Sequence, residues 1–312
     1  MNGPRGIVVR SCGIAVPDKV LTNDDLEARL DTSDAWITER TGIRERRIGG
    51  TTSELAAEAG RQALERAGLQ PTDIDALVLA TTTADAIAPA TASSVQTLLG
   101  MRTVGAFDLN AGCSGFVYGL VVSAGLAATG ADRVLLVGAD TLSRITDWED
   151  RTIAVLVGDG AGAVVVEAVE GPGNLLSHNL HSDGSLRHLL YCDHGGYLWM
   201  DGREIFRKAV RVLVESAEQA MADAGVGVGD IAMLVPHQAN LRIIQAACQR
   251  LGLPEEKTAI VIDRYGNTSS ASIPLALDDA VVTGRVGDGD LVLLSGFGAG
   301  MSWASAVLRW GA

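Results

Sequence analysis

Cysteine, proline and positive charge are all scarce in this sequence. Its four cysteines (Cys12, Cys113, Cys192 and Cys248) are scattered with no paired spacing, so neither a disulfide framework nor a regular zinc module is written here. No secretory pattern precedes them, and the expected compartment is a reducing cytoplasm. Only 8 prolines stand against 37 glycines and 47% hydrophobic residues, which describes a well-buried globular α/β protein. The formal charge of −13 argues against non-specific binding to nucleic acid or to anionic membranes, so an acidic partner requires a local basic patch. Asn110 to Ala131 carries no charge, but its five glycines, Asn and two serines, without basic flanks, indicate a buried helix rather than a membrane span.

A duplication is present instead. "RQALERAGLQPTDIDALVLATTT" (Arg61 to Thr83) parallels "EQAMADAGVGVGDIAMLVPHQAN" (Glu218 to Asn240): Gln62 matches Gln219, Ala67-Gly68 matches Ala224-Gly225, and Asp73-Ile74 matches Asp230-Ile231. Each reads as a helix stopped by Gly, a turn, and a strand buried on both faces. "VLLVGAD" and "GDGAGAVVVEA" have counterparts in "LVLLSGFGAGMSWASAVL". "FDLNAGCSGF" pairs with "VIDRYGNTSSASI" as strand, small-residue turn and helix. The spacing predicts one α/β unit used twice, a first half over 1–170 and a second over 171–312, with 171–199 as a polar surface excursion.

Cys113 sits in the first of these joints, between a strand-like and a helix-like run. Small neighbours permit a sharp turn, and a helix N-terminus favours the thiolate. A buried core cysteine has the same local signature. His237 in "VPHQAN" follows a buried strand and alone fits a structural role equally well, while Asn267 in "YGNTSSAS" lies in a turn ahead of a helix and alone reads as turn chemistry. Approximate two-fold packing of the halves would bring all three together. "GDGAG" and "GFGAG" fit neither phosphate-loop pattern. His178, His181, His188, Cys192 and His194 are irregularly spaced in a polar stretch, so no metal site is expected. "TSDAWITERTGIRERR" sets Trp36 beside Arg40, Arg44, Arg46 and Arg47, either as core tryptophan and surface arginines or as an aromatic face with phosphate forks.

Taken in order, "TSDAWITERTGIRERR", "NAGCSGF", "GDGAGAVV", "PHQANLRII", "GNTSSASIPLAL" and "GFGAGMSWASAVLRW" resemble the 3-oxoacyl-(acyl-carrier-protein) synthase III family over almost the whole chain. The resemblance implies the thiolase fold, five layers α-β-α-β-α built from two related halves, and a homodimer. It implies Cys113 as nucleophile with His237 and Asn267 beside it, and an oxyanion hole from the N–H groups of Cys113 and Ala299. It places coenzyme A on Trp36, Arg40 and Arg151, and implies acyl-CoA and malonyl-acyl-carrier-protein as substrates, with no cofactor and no metal. The activity implied is the decarboxylative condensation that initiates type II fatty acid synthesis.

The acidic carrier protein requires positive charge on this acidic chain. Arg203, Arg207 and Arg211 fall at i, i+4 and i+8 on a helix beginning near Glu204, and Arg242 and Arg250 lie on the helix after "PHQAN". At the far end of the acyl pocket the family can place a bulky residue, reaching across the dimer, where this chain has Ala88. Three other readings remain open here. A papain-like hydrolase orders Cys, His and Asn similarly, but its local signature and the duplication do not fit it. The same fold also primes polyketides or transfers acyl groups in secondary metabolism. The third is a catalytically silent scaffold.

Overall fold

Apolar runs covered on both faces and a strict alternation of side chains set the architecture. In the computed structural model, which describes residues 5–311, Ala76–Ala80 is buried at every position. Leu77 and Leu79 enter one core and Ala76 and Val78 another, the period-two pattern of a strand between two layers. The first sheet has the order Arg5–Ala15, Asp159–Gly173, Arg133–Thr141, Ala76–Ala80, Gly105–Leu109. Its last three strands are parallel; Asp159–Gly173 runs antiparallel to them, and Arg5–Ala15 antiparallel to Asp159–Gly173.

The second sheet has the order Leu175–Ser182, Ser302–Arg309, Leu291–Gly298, Ile231–Pro236. Strand senses repeat those of the first sheet, and a lone parallel bridge, Leu234 to Thr258, takes the fifth position. Helix Thr52–Ala67 covers the outer face of the first sheet, and helices Gly202–Ala224 and Leu241–Leu251 cover that of the second. Between the sheets lie Gly115–Ala128 and Ser272–Val282, contributing Phe116, Leu120, Ile273 and Leu275 to one shared core. The result is five layers, α-β-α-β-α.

The duplication extends to individual bonds. Helices Thr52–Ala67 and Gly202–Ala224 both end on a left-handed glycine, Gly68 and Gly225. In the turns that follow, Asp73 accepts from Gln70 N and Asp230 accepts from Gly227 N, both at 2.8 Å. No helix among the described residues is long and apolar enough to cross a membrane.

Three expectations need correction. The 171–199 segment is not one surface excursion: Leu175–Ser182 pairs with Ser302–Arg309 as the edge strand of the second sheet. His178, His181 and Ser182 are exposed, while Ser177 and Asn179 donate to the backbone of helix Gly202–Ala224, so the strand carries polar residues on both faces, which hid its pattern. The last strand of the first half runs to Gly173, beyond the 1–170 division. The joint at Val261 also departs from its partner, because Ile262–Tyr265 forms a short helix where a strand was expected.

Candidate active site

The three residues singled out at strand ends share one site. Two cavities, of about 180 and 160 Å³, meet at Cys113; Asn267 lines both and His237 lines the second. The first is walled by apolar side chains such as Leu142, Ile145, Ile153 and Leu198. The second carries His237, Asn240 and Asn267 along with Phe206 and Ile243.

Cys113 follows strand Gly105–Leu109 in a turn capped by helix Gly115–Ala128. The 298–300 loop is pressed against it, and a Cβ on Gly298 would overlap the Cys113 nitrogen. Ser302 Oγ donates to Ala111 O at 2.7 Å and lies 2.8 Å from Ser114 Oγ, tying that loop to the Cys113 turn. Burial pushes the Cys113 thiol up to about 12; a Ser269 hydrogen bond opposes this and the Asp140 carboxylate adds to it. The sequence expectation of a lowered thiol is therefore corrected. Desolvation of the thiolate beside the apolar walls of the site is the largest influence on it.

His237 is 1% exposed. Its backbone N–H donates to Ser295 O at 2.8 Å, and its ring packs edge-on to Phe297 at 5.3 Å. Burial lowers the imidazole to about 3, so the ring is neutral. Asn267 is held by its backbone, donating to Leu156 O at 2.8 Å and accepting from Gly158 N at 2.9 Å. Its Oδ1 accepts from Ser269 N at 2.9 Å. That bond assigns the amide orientation and leaves the NH2 group as the donor on the cavity side. Ser269, at φ +52°, is the described non-glycine residue in the left-handed region, a conformation that persists only where its surroundings over-determine it.

Sequence reasoning passed over Asp140. It is fully buried at the end of strand Arg133–Thr141. Its Oδ1 accepts from the backbone or hydroxyls of Thr81, Thr82 and Thr83 at 2.7–3.2 Å, and its Oδ2 from Ser270 N and Oγ at 3.0 and 2.6 Å. One carboxylate thus fastens the Asn267 loop to the other half of the molecule. The available signal was a lone Asp closing an apolar strand.

The expected coenzyme A residues also converge. Arg40 and Arg151 place their guanidinium carbons 4.9 and 5.0 Å from the Trp36 ring centroid. Asn240, which lines the second cavity, donates to Arg40 O at 3.0 Å, linking this cluster to the cavity. Among the arginines expected to dock a carrier, Arg242 lies 5.9 Å over the Phe206 ring, while Arg207 pairs with Glu204 at 2.5 Å and Arg211 with Glu215 at 2.8 Å. Arg203 and Arg250 are exposed. Ala88 is exposed and does not line either cavity of its own chain. His178, His181, His188 and His194 are exposed, and no group of three metal-ligating residues occurs among the described residues.

Family models described as 3-oxoacyl-[acyl-carrier-protein (ACP)] synthase III and its C-terminal part match residues 107–184 and 221–310. The chain is 51% identical to beta-ketoacyl-[acyl-carrier-protein] synthase III of Erythrobacter litoralis, covering 97% of this chain and 98% of that one. Identity to the same-named protein of Sinorhizobium medicae is 50%, covering 97% and 99%. The crystal structure of 3-oxoacyl-[acyl-carrier-protein] synthase III from Aquifex aeolicus superposes with a TM-score of 0.96 at 45% identity, over 98% of this chain and 100% of that one. The priming beta-ketosynthase from the R1128 polyketide biosynthetic pathway superposes at 0.95 with 37% identity, over 100% and 98%. The chain belongs to the 3-oxoacyl-[acyl-carrier-protein] synthase III family and is a condensing acyltransferase of the five-layered thiolase fold.

Proposed function

We propose that this chain joins an acyl-CoA primer to malonyl-acyl-carrier-protein through an acyl-Cys113 intermediate, the initiating condensation of type II fatty acid synthesis. The observation that carries the reading is the meeting of two largely apolar cavities at one cysteine, with two neutral amide- or imidazole-type donors beside it. In the first half-reaction the Cys113 sulfur forms a bond to the acyl carbon. The bond from that carbon to the coenzyme A sulfur breaks, and the thiol proton ends on coenzyme A. The N–H groups of Cys113 and Ala299 take the role of oxyanion donors.

In the second half-reaction the malonyl carboxylate leaves as carbon dioxide, and its bonding electrons form a thioester enolate. His237 and Asn267 donate hydrogen bonds to the enolate oxygen. An imidazolium there would protonate the carbon and waste it; a neutral ring does not. The enolate carbon attacks acyl-Cys113, the S–C bond breaks, and one proton from solvent restores the thiol. Trp36, Arg40 and Arg151 hold coenzyme A, and Arg207, Arg242 and Arg250 receive the carrier protein. The working state is a cytoplasmic homodimer in which Ala88 faces the partner's acyl pocket.

Intact-mass measurement after exposure to a panel of acyl-CoAs tests the nucleophile. An acyl adduct is expected on the native chain and on variants lacking Cys12, Cys192 or Cys248, and none on Cys113→Ala. The Cys192 control is informative because Cys192 lines the same cavity. Labelling that survives Cys113→Ala refutes the assignment. The R1128 neighbour motivates a second reading, priming of a polyketide. A 3-oxoacyl product accepted on a fatty acid carrier protein decides against it.

A further inference from the structure

We infer that Ser272 is a positioning residue that fixes His237 as the Nε2–H tautomer, the form that donates into the cavity at Cys113. The inference rests on the enolate-binding role of His237 proposed above. It follows from counting the protons available around one hydroxyl. Ser272 Oγ lies 2.6 Å from His237 Nδ1 and 3.3 Å from Gln238 N. Ser272 is fully buried, so water does not complete its bonding. The Gln238 N–H is a donor and takes one lone pair of the Ser272 oxygen.

Gln238 is not free to turn away. Its side chain is buried, with Nε2 donating to Pro236 O at 2.8 Å and Ala259 O at 3.1 Å, and Oε1 accepting from Val261 N at 3.0 Å. Among the described residues the Ser272 hydroxyl has no acceptor for its own proton other than His237 Nδ1. The direction of donation is therefore set as Gln238 N–H to Ser272 Oγ, and Ser272 O–H to His237 Nδ1. A neutral imidazole that accepts at Nδ1 carries its proton at Nε2. The opposite tautomer would leave the Ser272 hydroxyl proton buried without an acceptor and would present a lone pair to the enolate oxygen, where a donor is needed.

Ser272 opens the helix Ser272–Val282, and the Asn267 turn lies immediately before it. The same short segment thus orients both proposed enolate donors: Ser269 N–H turns the Asn267 amide, and Ser272 O–H sets the imidazole. The first link is backbone and tolerates many side chains. The second depends on one hydroxyl.

The test is 15N NMR of the full chain labelled in histidine, with the His237 signals assigned by their loss in His237→Gln. The other four histidines are exposed, and His237 is buried. In the native chain the expected spectrum has a protonated Nε2 and a bare Nδ1; a protonated Nδ1 overturns the inference. Ser272→Ala is expected to show a mixed or reversed tautomer. Its kcat for malonyl decarboxylation should fall about 10- to 100-fold, the scale known for removing the hydrogen-bond partner that orients a metal-bound histidine, with self-acylation within about twofold.

Ser272→Cys keeps the volume and a weak donor, and should recover part of both the tautomer and the rate. An unchanged tautomer together with unchanged decarboxylation in Ser272→Ala overturns the inference. Equal losses in both half-reactions, with the native tautomer retained, also overturn it by reducing Ser272 to a packing role. Should Cys113 never be acylated, the proposed function fails while the tautomer measurement still decides this point.

Discussion

Removing His237 should separate the two half-reactions and, independently, flatten the acid sensitivity of the fold. The ring is 1% exposed and its pKa is lowered by burial from 6.5 to about 3. As a donor to a developing oxyanion it is worth about 2.7–4 kcal/mol, on the order of a hundred- to a thousand-fold in rate. His237→Ala should lose that factor in carbon dioxide release from malonyl-carrier protein, and Asn267→Ala should behave alike. Coenzyme A release during self-acylation should change far less.

The stability effect has a definite sign. Below 6.5 the unfolded chain binds a proton at this position that the folded chain refuses until about 3. Stability is complete above pH 6.5 and is lost as the pH falls toward 3, by about 1.4 kcal/mol per unit. Between pH 7 and 5 the native chain should lose about 2 kcal/mol that His237→Ala does not. Urea titrations at pH 7 and pH 5 on both chains measure the difference. Equal slowing of both half-reactions, or identical pH slopes in the two chains, would refute the reasoning and place a charged histidine beside the thiol.

Burial of Cys113 makes thiolate scarce at neutral pH, so the self-acylation rate should rise close to tenfold per pH unit from about pH 7 to about pH 9. A plateau below pH 8 would show that the helix N-terminus prevails over burial. Arg242→Glu and Arg207→Glu should raise KM for malonyl-carrier protein and spare acyl-CoA, and salt should mimic them, because exposed charges are screened beyond about 10 Å at 0.1 M. An effect confined to the acyl-CoA step would sink that docking surface. With only a methyl at Ala88, primers longer or more branched than acetyl should be used, each buried methylene adding about 0.8 kcal/mol. Ala88→Phe should suppress hexanoyl-CoA before acetyl-CoA in kcat/KM, and an unchanged profile would place the end of the pocket elsewhere.

What the sequence disclosed was local. The pairs Ala67-Gly68 and Ala224-Gly225, or Asp73 and Asp230, mark features settled within a few residues, namely a helix stop and a turn bonded by one carboxylate. Such features survive duplication visibly. The strand Leu175–Ser182 was hidden because an edge strand with polar residues on both faces, Ser177 and Asn179 bonded to a helix and His178 and His181 exposed, reads as a polar loop. The thiol of Cys113 was misjudged because position at a helix start is written in sequence and desolvation is not. Asp140 and Ser272 were missed for a related reason. Each is a single polar residue whose meaning lies in partners more than 30 positions away.

The duplication also explains why the site exists only in the joined molecule. In each half, the connection between the second and third strands of the sheet presses on the turn of the other half. From the second half, Gly298 and Ala299 pack on the Cys113 turn, and Ser302 bonds Ala111 O. From the first half, Leu156 O and Gly158 N bond the backbone of Asn267, and a Cβ on Gly158 would overlap Tyr265 O. Each half therefore supplies one side chain of the proposed site and also the buttress for the other's. The equivalent turns have diverged in chemistry, one into a thiol and one into an amide, while retaining this reciprocal support. A half alone would hold an unsupported turn and a single member of the pair, so chemistry at Cys113 depends on the packing of the central helices that joins the halves.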